Sequence, residues 1–518
     1  MDVISRERAE KSRSKILALE KLAERLKSLR TSGQKVVLCH GVFDLLHIGH
    51  IRHLEEAKKI GDVLVVTVTP DRFVNKGPHR PAFVQDLRAE AIASLSCVDF
   101  VAVNQWPMAV ETIQLLRPDF YVKGSDYQES KDDHTGGILL EEAAVRAVGG
   151  TLVFTDDIAF SSSSLINRHF SAFPEPVRDY LSNFASRYSA SDVIQILKGA
   201  QSLKVLVIGE SIIDEYQYCD AIGKSSKEPM LALKHLVTEK FAGGILAVGN
   251  HVANFCDHVG LITQLGDRQS QEEFILEKLN PKIRPFFLQR KKSPTIVKRR
   301  FVENYFFTKL LELYEINDGA VEASDNQALC ETLRRELPKY DGVIVVDYGH
   351  GMLTPEAIKI ICDEAHFLSV NAQSNAGNLG YHSILRYPRA DYLCMAENEM
   401  RLEARDRSRD LKQLILEVAQ KMKCDRVTVT RGKHGSLCYK NGEGFFEIPA
   451  FAGQVLDRMG AGDSFLSLTA LGMVQKAPTE VVGFIGNVAG AQAVATVGHR
   501  KSVEPAPLFK HIESLLKY

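Results

Sequence analysis

The chain lacks a CxxC pair and a strong net charge, and its first residues do not predict a secretory leader. Its nine cysteines are scattered, with no two of them three residues apart, so neither a zinc motif nor a disulfide framework is indicated. Reduced thiols are typical of a cytoplasmic protein, and we expect that location here. The first 30 residues are charged and lack the apolar core of a signal peptide.

The chain also has no excess of charge of one sign. The chain has 64 Lys and Arg against 65 Asp and Glu, which gives no reason to expect nucleic acid or an anionic membrane as a partner. The 19-residue stretch from Val481 to His499 carries no formal charge and is long enough to span a bilayer. It also contains Asn487, Gln492 and several glycines, so we expect a buried helix and turn of a soluble domain.

The order of apolar runs predicts two α/β domains in a chain of 518 residues. Residues 1–30 are predicted to form a helix, and residues 31–168 alternate strands with helices, which is typical of a parallel sheet covered on both faces. Residues 169–202 are predicted to form a helical connector. Residues 203–518 again alternate strands with helices. The β-prone segments 215–240 and 294–315 interrupt it and predict a small projecting sheet, a lid or an interface.

The first candidate site follows a strand that ends at His40. A glycine turn, Gly41-x-Phe43-Asp44, leads into a helix that begins with His47-Ile-Gly49-His50. Strand–turn–helix junctions are where α/β sheets bind ligands, and helix N-termini offer free N–H groups to phosphate. His47 and His50 share a helix face, and Gly49 lets a triphosphate approach the backbone. The two imidazoles are suited to stabilise charge that develops on a phosphate.

The pattern GxFDxxHxGH resembles the cytidylyltransferase-like family of nucleotidylyltransferases, which includes the adenylyltransferase half of a bifunctional heptose enzyme of bacteria. The resemblance covers about residues 35–168. Three later segments match the family in order: Lys76-Gly-Pro-His-Arg80-Pro, Val-Lys123-Gly124-Ser-Asp126-Tyr, and Ser161-Ser162-Ser163-Ser164-Leu-Ile.

The resemblance implies a Rossmann-like domain in which His47, His50 and Lys123 act in the chemistry. It also implies a nucleotide- and phosphate-binding set that includes Asp44, which orients the site. The other members of that set are Gly41, Phe43, Gly49, Lys76, Arg80, Gly124, Asp126, Ser162, Ser163 and Ser164. The expected reaction joins a sugar or polyol phosphate to ATP or CTP and releases pyrophosphate, with Mg²⁺ sharing the charge.

A second enzyme class shares the His47-Ile-Gly-His50 signature. Class I aminoacyl-tRNA synthetases carry it, and Lys224-Ser-Ser-Lys-Glu228 is similar to their lysine loop. We rank this alternative low, because the lysine stretch lies beyond the first strand of the second predicted domain and no basic tRNA-binding domain is apparent.

The second candidate site is Gly460-Ala461-Gly462-Asp463, directly before an apolar helix. Backbone N–H groups at such a helix start form an anion hole for a transferring phosphoryl group. Asp463 is placed to accept the proton of an attacking hydroxyl. By itself the pattern is equally typical of a glycine-rich helix cap.

Residues 203–518 as a whole resemble the ribokinase-like (PfkB) carbohydrate kinases, which implies an α/β domain with a small β lid and Asp463 as the base. The resemblance assigns sugar contacts to Asp214, Gly243, Gly244 and Asp347. It assigns the nucleotide to Thr430, Gly432, Gly435, Gly460, Ala461, Gly462, Asn487 and Gly498. ATP and Mg²⁺ are the implied cofactors, and Glu399 is the candidate metal residue.

Three positions depart from the kinase pattern. Asp457-Arg458 stands where relatives often have Asp-Thr, and Ala247 stands where an Asn usually follows the glycine pair, with Asn250 or His251 as substitutes. Ala396 replaces the Asn of the NxxE motif. These changes leave open a scaffold alternative, in which one half binds ligand without catalysis.

Together the motifs predict a bifunctional enzyme, a carbohydrate kinase and nucleotidylyltransferase that makes a nucleotide-activated sugar. The bifunctional heptose enzymes carry the kinase first, and here the order is reversed. We expect sugars or sugar phosphates and nucleoside triphosphates as substrates, with no nucleic acid or membrane partner. We also expect a homodimer through the projecting sheet, whose Val302, Tyr305, Phe306 and Phe307 look exposed in the sequence.

Overall fold

The computed structural model describes residues 12–74, 80–124, 137–155, 173–317 and 319–517. The chain divides into two compact units, one of Met1–Ser191 with Phe509–Tyr518 and one of Asp192–Leu508. Each unit has its own sheet system and is described separately.

The described part of the first unit is built on a parallel five-stranded sheet in the order β3-β2-β1-β4-β5. Its strands are β1 (Val36–Gly41), β2 (Val63–Val68), β3 (Phe100–Val103), β4 (Phe120–Gly124) and β5 (Thr151–Thr155). The helices are α1 (Leu19–Thr31), α2 (Ile48–Ile60), α3 (Gln85–Ala93), α4 (Val110–Leu116), α5 (Gly137–Ala147) and α6 (Glu175–Ala185). The order changes direction beside β1, so the end of β1 opens at the position where such sheets bind ligands.

Apolar cores cover both faces of this sheet. Alternate residues of β1 point to opposite faces: Val36 and Leu38 pack in one core cluster, and Val37 and Cys39 pack in the other. The helix predicted for residues 1–30 is interrupted in its described part: residues 12 and 13 are helical, Ile16 forms a parallel bridge with Val101, and α1 begins at Leu19. Residues 1–11 lie outside the described residues.

The second unit contains a nine-stranded sheet in the order β10-β9-β6-β13-β14-β15-β16-β17-β18. Its strands are β6 (Lys204–Gly209), β9 (His258–Arg268), β10 (Ile283–Pro294), β13 (Gly342–Asp347), β14 (Leu368–Ala372), β15 (Tyr392–Ala396), β16 (Arg426–Thr430), β17 (Ser436–Lys440) and β18 (Gly444–Ile448). All neighbours are parallel except the β16-β17-β18 meander. The α/β prediction is therefore confirmed for both units.

Helices surround this sheet, and the stretch that could have spanned a membrane is one of them. The helices are α7 (Ala190–Gly199), α8 (Ile245–Ala253), α9 (Glu272–Lys278), α10 (Ala323–Glu336), α11 (Pro355–Glu364), α12 (Glu397–Glu403), α13 (Leu411–Lys421), α14 (Ala461–Val474) and α15 (Thr479–Ala493). The last helix, α16 (Pro505–Leu516), belongs to the first unit from Phe509 onward. Most residues of α15 are buried. Within the described ranges, no helix has both the length and the apolar character needed to cross a bilayer.

A separate four-stranded sheet, here called the lid sheet, has the order β12-β11-β7-β8. It consists of β7 (Ser211–Lys224), β8 (Leu231–Gly244), β11 (Ile296–Glu303) and β12 (Thr308–Glu315). Tyr305 and Phe306 in its β11–β12 turn are 83% and 78% exposed, but Val302 is fully buried beside Tyr216. The expectation that Val302 is exposed is therefore wrong, since it faces inward like every second residue of β11. Phe307 is also partly buried there.

Candidate active sites

The two histidines of the first site lie in the turn from β1 to α2, with their rings stacked. The centroids of His47 and His50 are 4.0 Å apart, and Phe43 meets His50 edge-on at 5.3 Å. His47 is also the N-cap of α2, because its Nδ1 accepts the N–H of Gly49 at 3.1 Å. That bond leaves the proton of the neutral ring on Nε2. Burial lowers the pKa of His47, which favours a neutral Nε2–H donor.

A tight backbone supports this turn. Phe43 has a positive φ of 48°, and a Cβ on Gly41 would lie 3.1 Å from its ring. Asp44 is buried and accepts backbone N–H groups from Ala82 at 2.6 Å and Phe83 at 3.3 Å. Arg80 approaches the same carboxylate at 3.5 Å. Asp44 therefore ties the histidine turn to the loop that carries Arg80.

Lys123 lies at the end of β4, where it pairs with a residue that the motifs did not indicate. Its ammonium is 2.9 Å from Glu141 of α5, and both side chains are nearly buried. Lys123 also lies over the ring of Tyr121 at 5.2 Å. Next to it on β1, burial and the charge of Lys123 lower the pKa of His40 to about 4. Glu141 follows no recognisable motif, so only the fold identifies it.

Several predicted phosphate-binding residues lie outside the described residues. They are Lys76, Asp126, Ser162, Ser163 and Ser164. Gly124 is described, and no atom of the described residues lies within 4 Å of a Cβ added to it.

The second site centres on Asp463 in the first turn of α14. Gly460 is the left-handed N-cap, with φ 77°, so a Cβ there would be strained and would meet the ring of His499 at 2.6 Å. Asp463 is 8% exposed and its Oδ1 accepts bonds from Tyr348 Oη at 3.2 Å and Gln373 Nε2 at 3.1 Å. Burial raises the pKa of Asp463, while the nearby His499 and the Tyr348 bond oppose that shift.

A cavity of about 520 Å³ opens beside this helix start. It brings together residues from three predicted motifs, those around Glu399, Thr430 and Asp463, and adds others that had no motif. The lining includes Gln373, Glu399, Thr430, Gly432, Arg458, Gly460, Gly462 and Asp463. Gly432 and Gly435 both have positive φ, and a Cβ on Gly435 would lie 2.0 Å from the carbonyl oxygen of Ile448. These glycines keep the β16–β17 loop close to the sheet.

Glu399 lines the same cavity, and backbone groups hold its carboxylate. Its two oxygens accept the N–H groups of Ser374 at 3.0 Å and Ala396 at 2.8 Å, which orients the carboxylate although Ala396 has replaced the family's Asn. Burial raises the pKa of Glu399. No group of three His, Cys, Asp or Glu side chains that could hold a metal alone occurs among the residues that the structure describes.

Asp214 lies on β7 of the lid sheet and faces the same helix start. It forms a buried ion pair with Arg300, and its Oδ2 is 3.5 Å from His499 Nε2, which in turn is 3.9 Å from Asp463. A Cβ on Gly243 would lie 2.0 Å from Asp214 Oδ2, and one on Gly244 would lie 2.7 Å from the oxygen of Glu210. The glycine pair therefore makes room for the Asp214 carboxylate. Arg300 and His499 were not indicated by any motif.

Three other predicted ligand residues make contacts inside the protein and do not line the 520 Å³ cavity. Asp347 accepts bonds from Tyr387 Oη at 2.9 Å and from the N–H of Gly349 at 3.1 Å. Asn487 donates to Ser436 Oγ at 2.7 Å. Gly498 donates its N–H to Asp457 at 3.0 Å.

The structure also accounts for the departures from the kinase pattern. Asp457 accepts bonds from Tyr216 Oη at 2.7 Å and Lys309 Nζ at 2.5 Å, so it links the start of the glycine loop to the lid sheet. Asn250 bonds to Lys278 and Asn280, and His251 accepts the N–H of Val503. These two residues hold neighbouring loops through these bonds.

The family descriptions agree with this geometry. Residues 202–506 match "pfkB family carbohydrate kinase". The chain belongs to the pfkB family. Residues 38–169 match "Cytidylyltransferase-like", so a cytidylyltransferase-like domain precedes the pfkB domain. Both motif-based family predictions, and the order of the two domains, are confirmed.

Curated relatives match over shorter stretches. The chain is 37% identical over 158 residues to the bifunctional protein HldE of Syntrophotalea carbinolica, covering 30% of this chain and 31% of that protein. It is 47% identical over 115 residues to HldE of Helicobacter pylori strain G27, covering 22% of this chain and 24% of that protein. These matches therefore span less than a third of the relatives' length.

Solved structures match about three fifths of the chain. A ribokinase from Thermotoga maritima is 18% identical and covers 61% of this chain and 100% of its own, with a TM-score of 0.46. Phosphofructokinase-2 from Escherichia coli in complex with fructose-6-phosphate is 15% identical and covers 60% and 99%, with a TM-score of 0.48.

The lysine stretch that is similar to a synthetase loop belongs to the lid sheet. Lys224 ends β7, and Ser225 to Glu228 form the turn before β8. The turn lies within the pfkB match, so it does not support the synthetase alternative.

Proposed function

We propose that this protein is a bifunctional enzyme that phosphorylates a sugar or sugar phosphate with ATP and couples a sugar phosphate to ATP or CTP. The observation that carries the proposal is Asp463 beside a cavity at a glycine-rich helix start. The stacked His47 and His50 at the end of β1 support the second activity. The product is a nucleotide-activated sugar, such as an ADP-heptose-like compound, which is the product that the resemblance to the bifunctional heptose enzymes implies.

In the kinase, the sugar hydroxyl attacks the γ-phosphorus of ATP and the bond to the ADP oxygen breaks. Asp463 takes the hydroxyl proton, and its raised pKa makes it a stronger base than an exposed aspartate. Tyr348 and Gln373 fix its orientation. The N–H groups from Gly460 to Asp463, at the positive end of α14, stabilise the charge on the transferring group.

In the transferase, an oxygen of the sugar phosphate attacks the α-phosphorus, and pyrophosphate leaves. No covalent enzyme intermediate is required. His47 donates from Nε2 because Nδ1 is used by Gly49, and His50 lies against it. Both imidazoles stabilise the crowded negative charge of the transition state, and Lys123 compensates phosphate charge.

Magnesium fits the kinase cavity as a partner of the nucleotide. The ion needs only one or two carboxylates when triphosphate oxygens and water complete its shell, and Glu399 and Asp463 line the same cavity. Glu399 would hold it, directly or through water. When bound, the ion neutralises phosphate charge.

The experiment is a screen of sugars and sugar phosphates with ATP and CTP, read by mass spectrometry, on the wild type and on Asp463→Asn. We expect the variant to lose kinase rate by about 10²–10⁴, as for a lost acid–base group, and to keep nucleotidyl transfer. Equal loss of both activities in a folded variant would contradict two separate sites.

The same screen tests the alternatives. Absence of either activity in the wild type across the panel would favour a half that only binds ligand. Amino-acid-dependent pyrophosphate exchange would favour the synthetase alternative.

A further inference from the structure

A nearly buried ion pair lies at the carboxyl end of β4. The ammonium of Lys123 is 2.9 Å from Oε2 of Glu141, which lies on α5, and the two side chains are 11% and 8% exposed. The buried ring of Tyr121 lies beside the same ammonium, with its centroid 5.2 Å away. Packing of α5 on the sheet therefore holds both charges away from bulk water.

This ion pair is at the end of the sheet that carries the stacked histidines. Strand β4 pairs directly with β1, and the histidine turn starts at the end of β1. The carbonyl of Lys123 accepts the Thr155 hydroxyl at 3.4 Å, and that hydroxyl is 2.9 Å from Nδ1 of His53 on α2. Helix α2 is the helix that begins beside His47, so Lys123 belongs to the same site.

Four titratable groups of the described residues surround the Lys123 ammonium. They are Glu141 on α5, Tyr121 on β4, and Cys39 and His40 on β1. Burial raises the pKa of the Cys39 thiol to about 12, and burial together with the charge of Lys123 lowers the pKa of His40 to about 4. Burial also raises the pKa of Tyr121. Of these four groups, Glu141 is therefore the one that carries a charge at neutral pH.

The charge on Glu141 is itself maintained by the ion pair. Burial by itself raises the pKa of Glu141, but the charge of Lys123 and the bond to it outweigh burial, so the pKa lies below its ordinary value. The same reasoning applies to the lysine, because a buried ammonium without an opposite charge gives up its proton readily. Each member of the pair therefore keeps the other ionised.

We propose that Glu141 is a positioning residue for nucleotidyl transfer, which keeps the ammonium of Lys123 protonated and directed to the end of the sheet where the phosphates bind. This inference rests on the proposed transferase function and adds a residue that no motif indicates. An ammonium has three N–H donors, so a bond to Glu141 is compatible with a bond to a phosphate. Glu141 acts through Lys123 and does not itself touch the substrate.

The test is Glu141→Gln in the full-length protein, which keeps the shape of the side chain and removes its charge. With the sugar phosphate and nucleotide that the wild type accepts, kcat/KM for transfer at neutral pH should fall by roughly 10- to 100-fold, the range for a lost hydrogen bond to a charged group. The alkaline limb of the pH–rate profile should move to lower pH, because the ammonium then loses its proton more easily. Kinase activity of the same protein should be unchanged.

Two further variants complete the design. Glu141→Asp keeps the charge, so its alkaline limb should stay at the wild-type position even where kcat/KM falls, and it tests the inference if Glu141→Gln does not fold. Glu142→Gln is the matched control. Glu142 is the next residue of α5, and its carboxylate pairs with the exposed Arg146 at 2.5 Å, so its loss should change neither kcat/KM nor the pH profile.

The opposing outcomes are distinct. An alkaline limb that stays in place in Glu141→Gln, or one that moves equally in Glu141→Asp, would overturn the inference. A lower melting temperature with wild-type kcat/KM and pH profile would show that the ion pair only stabilises the fold, and would also overturn it. Absence of nucleotidyl transfer in the wild type would instead overturn the proposed transferase, and the inference with it, before any variant is compared.

Discussion

As the proposed base, Asp463 has to be ionised before it accepts a proton, so we expect the environment of its carboxyl to set the acid side of kinase activity. Burial raises its pKa, and the bonds from Tyr348 and Gln373 together with His499 lower it. With a raised pKa, Asp463 binds its proton more tightly than an exposed aspartate does. On acidification, kinase activity should therefore be lost at a higher pH than it would be with an exposed aspartate as the base.

We therefore expect the acid limb of kcat/KM for the kinase to lie above the pH of about 4 that is typical of an exposed carboxyl. Tyr348→Phe removes a donor that stabilises the charged form, so it should move that limb to still higher pH. The measurement is a pH–rate profile of both proteins. A limb that stays in place, or moves down, would contradict the role of Tyr348.

The histidines of the first site differ in what they do for the fold. His50→Ala should reduce kcat of nucleotidyl transfer by about 10²–10³, or roughly 2.7–4 kcal/mol, the range for one lost oxyanion donor. Its KM and melting temperature should change little, because the donor acts in the transition state. A lowered melting temperature with unchanged kcat would show that His50 is structural.

His47 is the contrasting case, since its Nδ1 caps α2. His47→Ala should lower both kcat and stability, the latter by about 0.5–2 kcal/mol as for a lost N-cap. The melting temperatures of His47→Ala and His50→Ala, measured side by side, distinguish the contribution of the N-cap to stability from the effect on catalysis. Equal melting temperatures would contradict a stabilising N-cap at His47.

At the scale of elements, the end of β8 is shaped by the carboxylate opposite it. Gly243 pairs with Ile212 of β7, and its missing side chain leaves the space that Asp214 Oδ2 occupies. The φ of Gly243 is not positive, so turn geometry does not require glycine at this position. Glycine is required because the Asp214 carboxylate approaches the strand closely.

Gly243→Ala should displace Asp214 and reduce kcat/KM of the kinase by about 100-fold, as for a group moved by roughly 1 Å. Nucleotidyl transfer should be unchanged. Gly490→Ala is the matched control, since a Cβ there meets only the oxygen of Ala461 at 4.0 Å. Normal sugar kinetics in Gly243→Ala would show that Asp214 does not need its present position.

At the scale of the whole molecule, the lid sheet presents apolar side chains to solvent. Tyr305 and Phe306 in its turn are exposed, and so are Leu311 and Val237 on its strands, at 60% and 56%. Exposed apolar groups gathered on one small sheet are typical of a surface that pairs with another protein. A second copy of the chain is the partner that the sequence predicts.

We expect a homodimer in light scattering at micromolar concentration. Tyr305→Ser combined with Leu311→Ser should shift it towards monomer, because the change removes apolar area from the surface. Tyr381→Ser is the control, as Tyr381 is 93% exposed outside the lid sheet. A wild-type monomer would contradict the prediction.

Sequence alone determined the identity of both domains and the placement of the central groups. His47, His50 and Asp463 sit at strand–turn–helix or glycine–helix junctions, where local chain geometry exposes N–H groups whatever the rest of the fold does. Their positions follow from neighbours within ten residues, so the local sequence motifs were sufficient to predict them.

Tertiary structure decided what surrounds those groups. Tyr348, Gln373 and His499 reach the Asp463 site from segments up to 115 residues away, and no spacing in the sequence links them. Glu141 meets Lys123 only because β4 and α5 pack together. Val302 is buried because the pairing of β11 in the lid sheet turns it inward. The charge balance of each site therefore depends on long-range packing, which local patterns do not encode.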